Sequence, residues 1–143
     1  AAMLGGVGGH AGLFSNANDL AKMFAMYMNN GEYGGERYID SAVVAEFTKV
    51  QFPEEDNRRG AGFDKPSGDE NGPTCECVSD KSFGHTGFTG TLAWADPDKE
   101  IIYIFLSNRV YPDAENKKLI HMNIRTHIQE AIYAAIEDWL LFF

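Results

Sequence analysis

The chain has 143 residues, of which 44% are hydrophobic and 13% aromatic, a composition that supports one hydrophobic core rather than a disordered segment. Its 21 acidic residues outnumber its 12 basic ones and give a formal net charge of −9, which makes nucleic acid and anionic membranes poor partners. No segment approaches the roughly 18 consecutive apolar residues of a membrane span, so we expect no membrane insertion.

Two helices are predicted near the start of the chain. Ser15 is a good N-cap for a helix over residues 15–30, because its hydroxyl can accept a hydrogen bond from the first turn. Apolar side chains recur at helical spacing along one face of this helix, at Leu20, Met23, Phe24, Tyr27 and Met28. Asp40 and Ser41 then cap a second helix over residues 40–50.

Residues 54–82 are predicted to form a polar loop, since prolines and glycines interrupt them repeatedly. Only residues 60–64 have a strand-like pattern. A loop of this length in a compact domain usually forms a lid or the rim of a binding site. Cys75 and Cys77 are separated by one residue, which strains any bond between them, so we expect two free thiols. Two cysteines are also too few for an all-cysteine zinc site.

Two strands and a long helix are predicted in the second half. Apolar and small polar side chains alternate over residues 88–96, which favours a strand with two different faces. Residues 101–107 are almost wholly apolar and predict a strand covered on both sides, so helices should flank the sheet. A helix over residues 115–138 follows, with one stripe formed by Ile120, Ile124, Ile128, Ile132 and Ile136.

The stretch Gly84-His85-Thr86-Gly87 is the strongest candidate for chemistry. Glycines beside a histidine and a threonine at the start of a strand place polar groups where the backbone approaches a partner closely, usually a substrate. The alternative is a hairpin whose glycines are turn residues and whose histidine ends a strand. The four histidines are scattered without metal-ligand spacing, so we expect neither a metal nor another cofactor.

This stretch resembles Lys-Thr-Gly, the third motif of the serine β-lactamase and penicillin-binding protein superfamily, in the His-Thr-Gly form of its class C-like and esterase-like branches. Residues 4–15 and 106–112 also resemble that branch. The resemblance implies an α+β fold in which helices flank an antiparallel sheet, with residues 1–143 as the C-terminal part of a single domain. It also suggests a periplasmic or cell-envelope location.

Carried over position by position, the resemblance assigns roles to four consecutive residues. His85 takes the place of the lysine and contacts substrate or the catalytic network, while Thr86 and Gly87 match the motif. The backbone N–H of Phe88 would complete the oxyanion hole. A side chain at position 87 would block the close approach of substrate.

The segment Asn108-Arg-Val-Tyr-Pro112 resembles the Asn-Lys-x-Tyr-Pro run of class C β-lactamases, which implies a substrate-binding role for Asn108. Beyond it, those enzymes carry Asn and Arg groups associated with recognising the β-lactam carboxylate. This chain has Asp113 and Asn116 there, and a carboxylate at Asp113 would repel an anion. The departure argues against β-lactam hydrolysis and favours an esterase or peptidase.

The implied function is acyl transfer from a small-molecule amide or ester through a serine nucleophile. No serine in the chain is followed three positions later by lysine, so the nucleophile is expected upstream of Ala1 and the chain alone is expected to be inactive. The alternative is a non-catalytic ancillary module of a larger cell-wall-active enzyme, such as a glycoside hydrolase fusion. An intact upstream Ser-x-x-Lys would favour the enzyme, and its loss the module.

Part of a domain leaves a sheet edge and an apolar face uncovered, and such surfaces seek partners. The tail over residues 139–143 carries five large apolar side chains. We therefore expect the chain to associate with further copies of itself.

Overall fold

The structure, a computed structural model, describes residues 3, 5, 6, 8, 9, 12–55, 57–69 and 72–140. Parts of the segment 4–15 and of the apolar tail 139–143 therefore lie outside the described residues. The elements in chain order are α1 (Ala17–Met28), β1 (Glu32–Tyr33), β2 (Glu36–Arg37), α2 (Ser41–Thr48), a 3₁₀ helix (Pro53–Glu55), β3 (Phe83–Thr86), β4 (Leu92–Asp96), β5 (Ile101–Phe105), α3 (Lys118–His121) and α4 (Ile124–Leu140).

The main sheet is antiparallel with the strand order β3-β4-β5. In its register His85 lies opposite Ala93, and Trp94 lies opposite both Gly84 and Tyr103. Strands β1 and β2 form a separate two-stranded hairpin. The expected α+β class, with helices flanking an antiparallel sheet, is confirmed.

Helix α1 covers one face of this sheet through an aromatic cluster. Phe24 is buried against Phe83 and Ala95, and Phe63 packs beside them. The ring centroids of Phe24 and Phe83 are 6.3 Å apart, and those of Phe63 and Phe83 are 5.0 Å apart. Burying a side chain of this size contributes about 1.5–3 kcal/mol. The cluster thus fixes the start of β3 and the nearby residue Phe63, which frame the candidate site.

The opposite face packs against α4. Leu92, Trp94 and Tyr103 are buried together, with Ile132 of α4 against them. Strand β4 therefore alternates as predicted within residues 92–96, with Leu92 and Trp94 on the α4 side and Ala93 and Ala95 on the α1 side. Both faces of the sheet behind the site are occupied by helices.

The strand expected over residues 88–96 begins later than predicted, because its first part is a turn. Residues 87–91 connect β3 to β4, with the Gly87 N–H donating to the Thr91 carbonyl at 2.8 Å and the Gly90 N–H to the Gly87 carbonyl at 2.9 Å. Gly90 has φ of +93°, a conformation that favours glycine and suits a turn rather than a strand. The second strand likewise ends at Phe105 rather than at residue 107.

The helix expected over residues 115–138 is two helices, α3 and α4, separated at Met122 and Asn123. Asn123 has φ of +48°, which interrupts helical hydrogen bonding. The isoleucine stripe is only partly buried: Ile132 packs against the core, whereas the fully buried residues among the described side chains of α4 are Gln129 and Tyr133. Three of the isoleucines are more than a third exposed, namely Ile120, Ile128 and Ile136.

A disulfide bond joins Cys75 to Cys77, which corrects the expectation of two free thiols. Their Cα atoms are 5.2 Å apart, within the range that a disulfide spans. Cys75 is buried, and its N–H donates to Oε1 of Gln129 on α4 at 3.1 Å. This part of the polar segment 54–82 is thereby attached to α4. Its residues 60–64 form no strand, although Asp64 makes one isolated bridge to Gly84.

Candidate active site

The site is built on the exposed end of β3, where His85 and Thr86 precede the turn 87–91. The His85 side chain is exposed, and both of its ring nitrogens have partners. Nδ1 lies 2.6 Å from the carbonyl oxygen of Thr86, and Nε2 lies 3.0 Å from Nη1 of Arg59. The imidazole is therefore held at both nitrogens, on one side by its own strand and on the other by the segment before Phe63.

Asp64 is a buried residue that contacts both Arg59 and the strand carrying His85. It is only 2% exposed, and its backbone exchanges two hydrogen bonds with Gly84, at 2.7 Å and 3.1 Å. Its carboxylate accepts from Nε and Nη2 of Arg58, at 2.8 Å and 3.1 Å, in a bidentate pair. Nη1 of Arg59 lies 3.5 Å from the same carboxylate. Paired guanidinium groups offset the cost of burying the charge of Asp64.

Lys65 adds a second buried charge beside Asp64. Burial lowers the pKa of its ammonium, although the carboxylates of Asp80 and Asp96 oppose this shift. Nζ of Lys65 donates to the carbonyl of Lys81 at 3.0 Å. The ammonium of Lys65 thus lies near the start of β3, so the base of the site combines the buried Asp64 carboxylate with the two guanidinium groups of Arg58 and Arg59.

Phe88 sits at the outer part of the turn 87–91. Its backbone N–H has no hydrogen-bond partner among the described residues, and its side chain is 76% exposed. Cζ of Arg109 lies 5.2 Å from the centroid of the ring, a cation–π contact. A Cβ atom at Gly87 would collide with Oγ1 of Thr91, so a side chain here would require the Thr91 hydroxyl to rotate away.

The turn is held by the segment after β5 and by α4. The Thr89 carbonyl accepts from Oγ of Ser107 at 3.1 Å and from the N–H of Arg109 at 2.9 Å. Nη1 of Arg125 donates to the carbonyls of Gly90 and Thr91, both at 3.2 Å. Burial lowers the pKa of the Arg125 guanidinium. These contacts fix the backbone of the turn without involving the Phe88 N–H.

The structure brings the predicted site residues to one end of the sheet. His85, Thr86, Gly87 and Phe88 are consecutive there. Asn108 is exposed and lies between Ser107 and Arg109, the two residues that bind the turn.

Asp113, the residue that departs from the class C pattern, is exposed on the segment after Asn108. Its carboxylate accepts the N–H of Glu115 at 2.9 Å. Within the described residues no cluster of three or more His, Cys, Asp or Glu side chains could hold a metal ion. None of the helices in that same part of the chain is long and apolar enough to cross a membrane.

The sequence alone missed Arg58, Arg59, Asp64 and Arg125. The two adjacent arginines stand out only as a small basic pair, and Arg59 is 26 residues from His85. No local pattern specifies a contact over that separation. The one available signal was the strand-like pattern of residues 60–64, which places Asp64 beside a strand.

Comparison with known proteins adds three findings. Residues 1–124 match the model of the Beta-lactamase family. Proteins of Salmonella gallinarum and Salmonella typhi, each described as "Putative D-alanyl-D-alanine carboxypeptidase", are 34% identical to this chain over 139 residues, which is 96% of this chain and 31% of each relative. The chain thus spans about a third of the length of these curated relatives.

The third finding is structural. A solved β-lactamase structure from Mycobacterium bovis matches with a TM-score of 0.63 over 85% of this chain and 44% of that protein. The sequence identity is 24%, so the likeness is one of fold.

Proposed function

Because the chain belongs to the Beta-lactamase family, as its motif indicated, we propose that it forms the oxyanion side of a serine hydrolase that transfers an acyl group from an amide or ester. The observation that carries this proposal is the N–H of Phe88, which follows Gly87 just after β3 and has no hydrogen-bond partner in the part of the chain that the structure describes. A backbone N–H held by a rigid turn can stabilise the negative charge that develops on a carbonyl oxygen during acyl transfer. His85, Thr86 and Asn108 would line the same site and contact the substrate.

We propose a peptide amide as the substrate class. The similarity to proteins described as D-alanyl-D-alanine carboxypeptidases supports a peptide that ends in D-alanyl-D-alanine. The exposed carboxylate of Asp113 would repel the carboxylate of a β-lactam and the terminal carboxylate of such a peptide alike, so the proposed peptide rests on the similarity to these relatives.

The nucleophile of this reaction lies outside the 143 residues in our proposal. None of the serines is followed three positions later by lysine, so no amine is placed one helical turn from a hydroxyl. The 143-residue chain alone should hydrolyse neither a chromogenic cephalosporin nor p-nitrophenyl esters. Turnover that a serine-directed covalent inhibitor abolishes would show that the chain contains its own nucleophile.

The functional test is release of D-alanine by a protein that contains both this chain and a Ser-x-x-Lys motif. His85→Ala should lower kcat/KM about 10- to 1000-fold, the range for losing one positioned polar group. His127→Ala is the control, since His127 is exposed on α4 and lies beside the segment of Cys75 and Cys77. An unchanged rate for His85→Ala would make His85 structural, and loss of the Ser-x-x-Lys motif from the protein would favour the ancillary module.

We also propose that the 143-residue chain self-associates. Both outer strands of the sheet, β3 and β5, are edges within the described part of the chain, apart from the single bridge of Asp64 to β3. Trp139 near the end of α4 is 61% exposed, and unpaired edges and apolar side chains of this kind favour association. Light scattering over a concentration series tests this, and a monomer that binds no hydrophobic dye would contradict it.

A further inference from the structure

We infer that Arg59 is a positioning residue that holds His85 as a neutral imidazole with its proton on Nδ1. A guanidinium has only donors, so Nε2 of His85, 3.0 Å from Nη1 of Arg59, accepts that hydrogen bond through its lone pair. The proton of the ring is then on Nδ1, which donates to the Thr86 carbonyl at 2.6 Å. The two partners select the same tautomer from opposite sides of the ring.

The position of Arg59 is fixed by a buried anchor. Its side chain is 46% exposed, but the Asp64 side chain that it pairs with is only 4% exposed. Asp64 is itself held by the bidentate contact with Arg58 and by two backbone hydrogen bonds to Gly84, the residue before His85. An isolated exposed pair contributes little, because ordering two flexible side chains costs entropy. Here one partner is already immobile and lies beside the strand that carries the histidine.

The tautomer of His85 follows from its two contacts alone, whereas its consequence for catalysis rests on the proposed function. With both nitrogens engaged, His85 offers no free N–H to a substrate in the resting site. The positive charge beside the His85 ring is then that of the Arg59 guanidinium. A substrate group that reaches Nε2 of His85 must first displace Arg59.

Diethyl pyrocarbonate labelling tests this contact, because the reagent acylates a ring nitrogen whose lone pair is free. In the folded protein near neutral pH, mass spectrometry should show His85 labelled about fivefold more slowly than the exposed His121 and His127, the factor for one hydrogen bond that must open first. Arg59→Gln should raise the His85 rate to that of the other two. Equal rates in the unaltered protein, or no increase in the variant, would overturn the inference.

Arg37→Gln is the matched control, since Arg37 is an exposed arginine that contacts Glu32, Asn30 and Ile39. It should leave the His85 rate unchanged. Nitrogen-15 NMR of the unaltered protein gives a readout that needs no variant: Nδ1 should carry the proton, and a proton on Nε2 would contradict the inference. Both measurements are independent of hydrolysis, so a failed proposed function and a failed positioning role are distinguishable.

Discussion

Tyr133 of α4 donates its phenolic hydrogen to Asp96 at the end of β4, with 2.9 Å between the two oxygens. Asp96 is fully buried and also accepts from the N–H and the hydroxyl of Ser79, at 2.9 Å and 2.6 Å. One carboxylate thus connects the sheet, the polar segment 54–82 and α4. It keeps α4, which also holds the turn of the site through Arg125, in place.

Replacing Asp96 by Ala should lower the free energy of unfolding by about 3 kcal/mol, because it leaves the buried hydroxyl of Tyr133 and the half-buried hydroxyl of Ser79 without their acceptor. Urea denaturation measures the change. Asp98→Ala is the control, since Asp98 pairs with Lys81 at the surface, where both side chains are exposed, and should cost much less. Equal losses in the two variants would contradict a structural role for the buried carboxylate.

The same contact should make stability depend on alkaline pH. Burial, together with the hydrogen bond to Asp96, raises the pKa of Tyr133 well above its usual range. An unfolded tyrosine loses its proton near pH 10, so above that pH the folded state binds more protons than the unfolded state. The free energy of unfolding should therefore fall as pH rises beyond about 10, by up to about 1.4 kcal/mol per pH unit from this group.

Tyr133→Phe removes this contribution, so its stability should decline less steeply with pH than that of the unaltered protein. Urea unfolding at several pH values between about 9 and 12 gives the two slopes. Burial also raises the pKa of Tyr103, so some decline should remain in the variant. Parallel slopes would show that Tyr133 keeps an ordinary pKa in the folded state.

Gly84→Ala should disrupt β3. A Cβ at this position would collide with the carbonyl oxygen of Ala93 and would lie 2.7 Å from Cα of Trp94. Both are backbone atoms of a paired central strand and cannot move without disturbing its hydrogen bonds. We therefore expect the free energy of unfolding to fall by about 3 kcal/mol. Gly9→Ala is the control, since nothing lies within 4 Å of a Cβ there. Equal urea midpoints for the Gly84→Ala and Gly9→Ala variants would contradict the close packing of β3 on β4.

Local signals in the sequence were enough to predict parts of the fold. The helical spacing of apolar residues near Phe24 predicts a buried face, and Phe24 is the buried residue of α1. The carboxylate of Asp40 does cap α2 by accepting the N–H of Ala42 at 2.8 Å. At α1, however, the side chain of Asn16 accepts the cap hydrogen bond rather than Ser15, because the helix begins one residue later than the pattern indicated.

Other features depend on geometry that a linear pattern does not contain. Residues spaced by four advance 400° around a helix of 3.6 residues per turn, so each isoleucine of the predicted stripe is displaced by about 40° from the previous one. Ile128 consequently lies about 100° around the helix from Gln129, away from the face that Gln129 and Tyr133 occupy. The contact of Arg59 with His85 depends on the bridge between Asp64 and Gly84, which only the folded chain creates.

The most direct test of the proposed function removes the Phe88 N–H alone. In a protein that contains both this chain and the serine nucleophile, Phe88 is replaced by its α-hydroxy acid analogue, which keeps the side chain but substitutes an ester oxygen for the N–H. Loss of one oxyanion donor should lower kcat about 100- to 1000-fold. Phe88→Ala retains the N–H and should change kcat far less. If the ester variant instead turns over as fast as the unaltered protein, Phe88 does not stabilise the oxyanion.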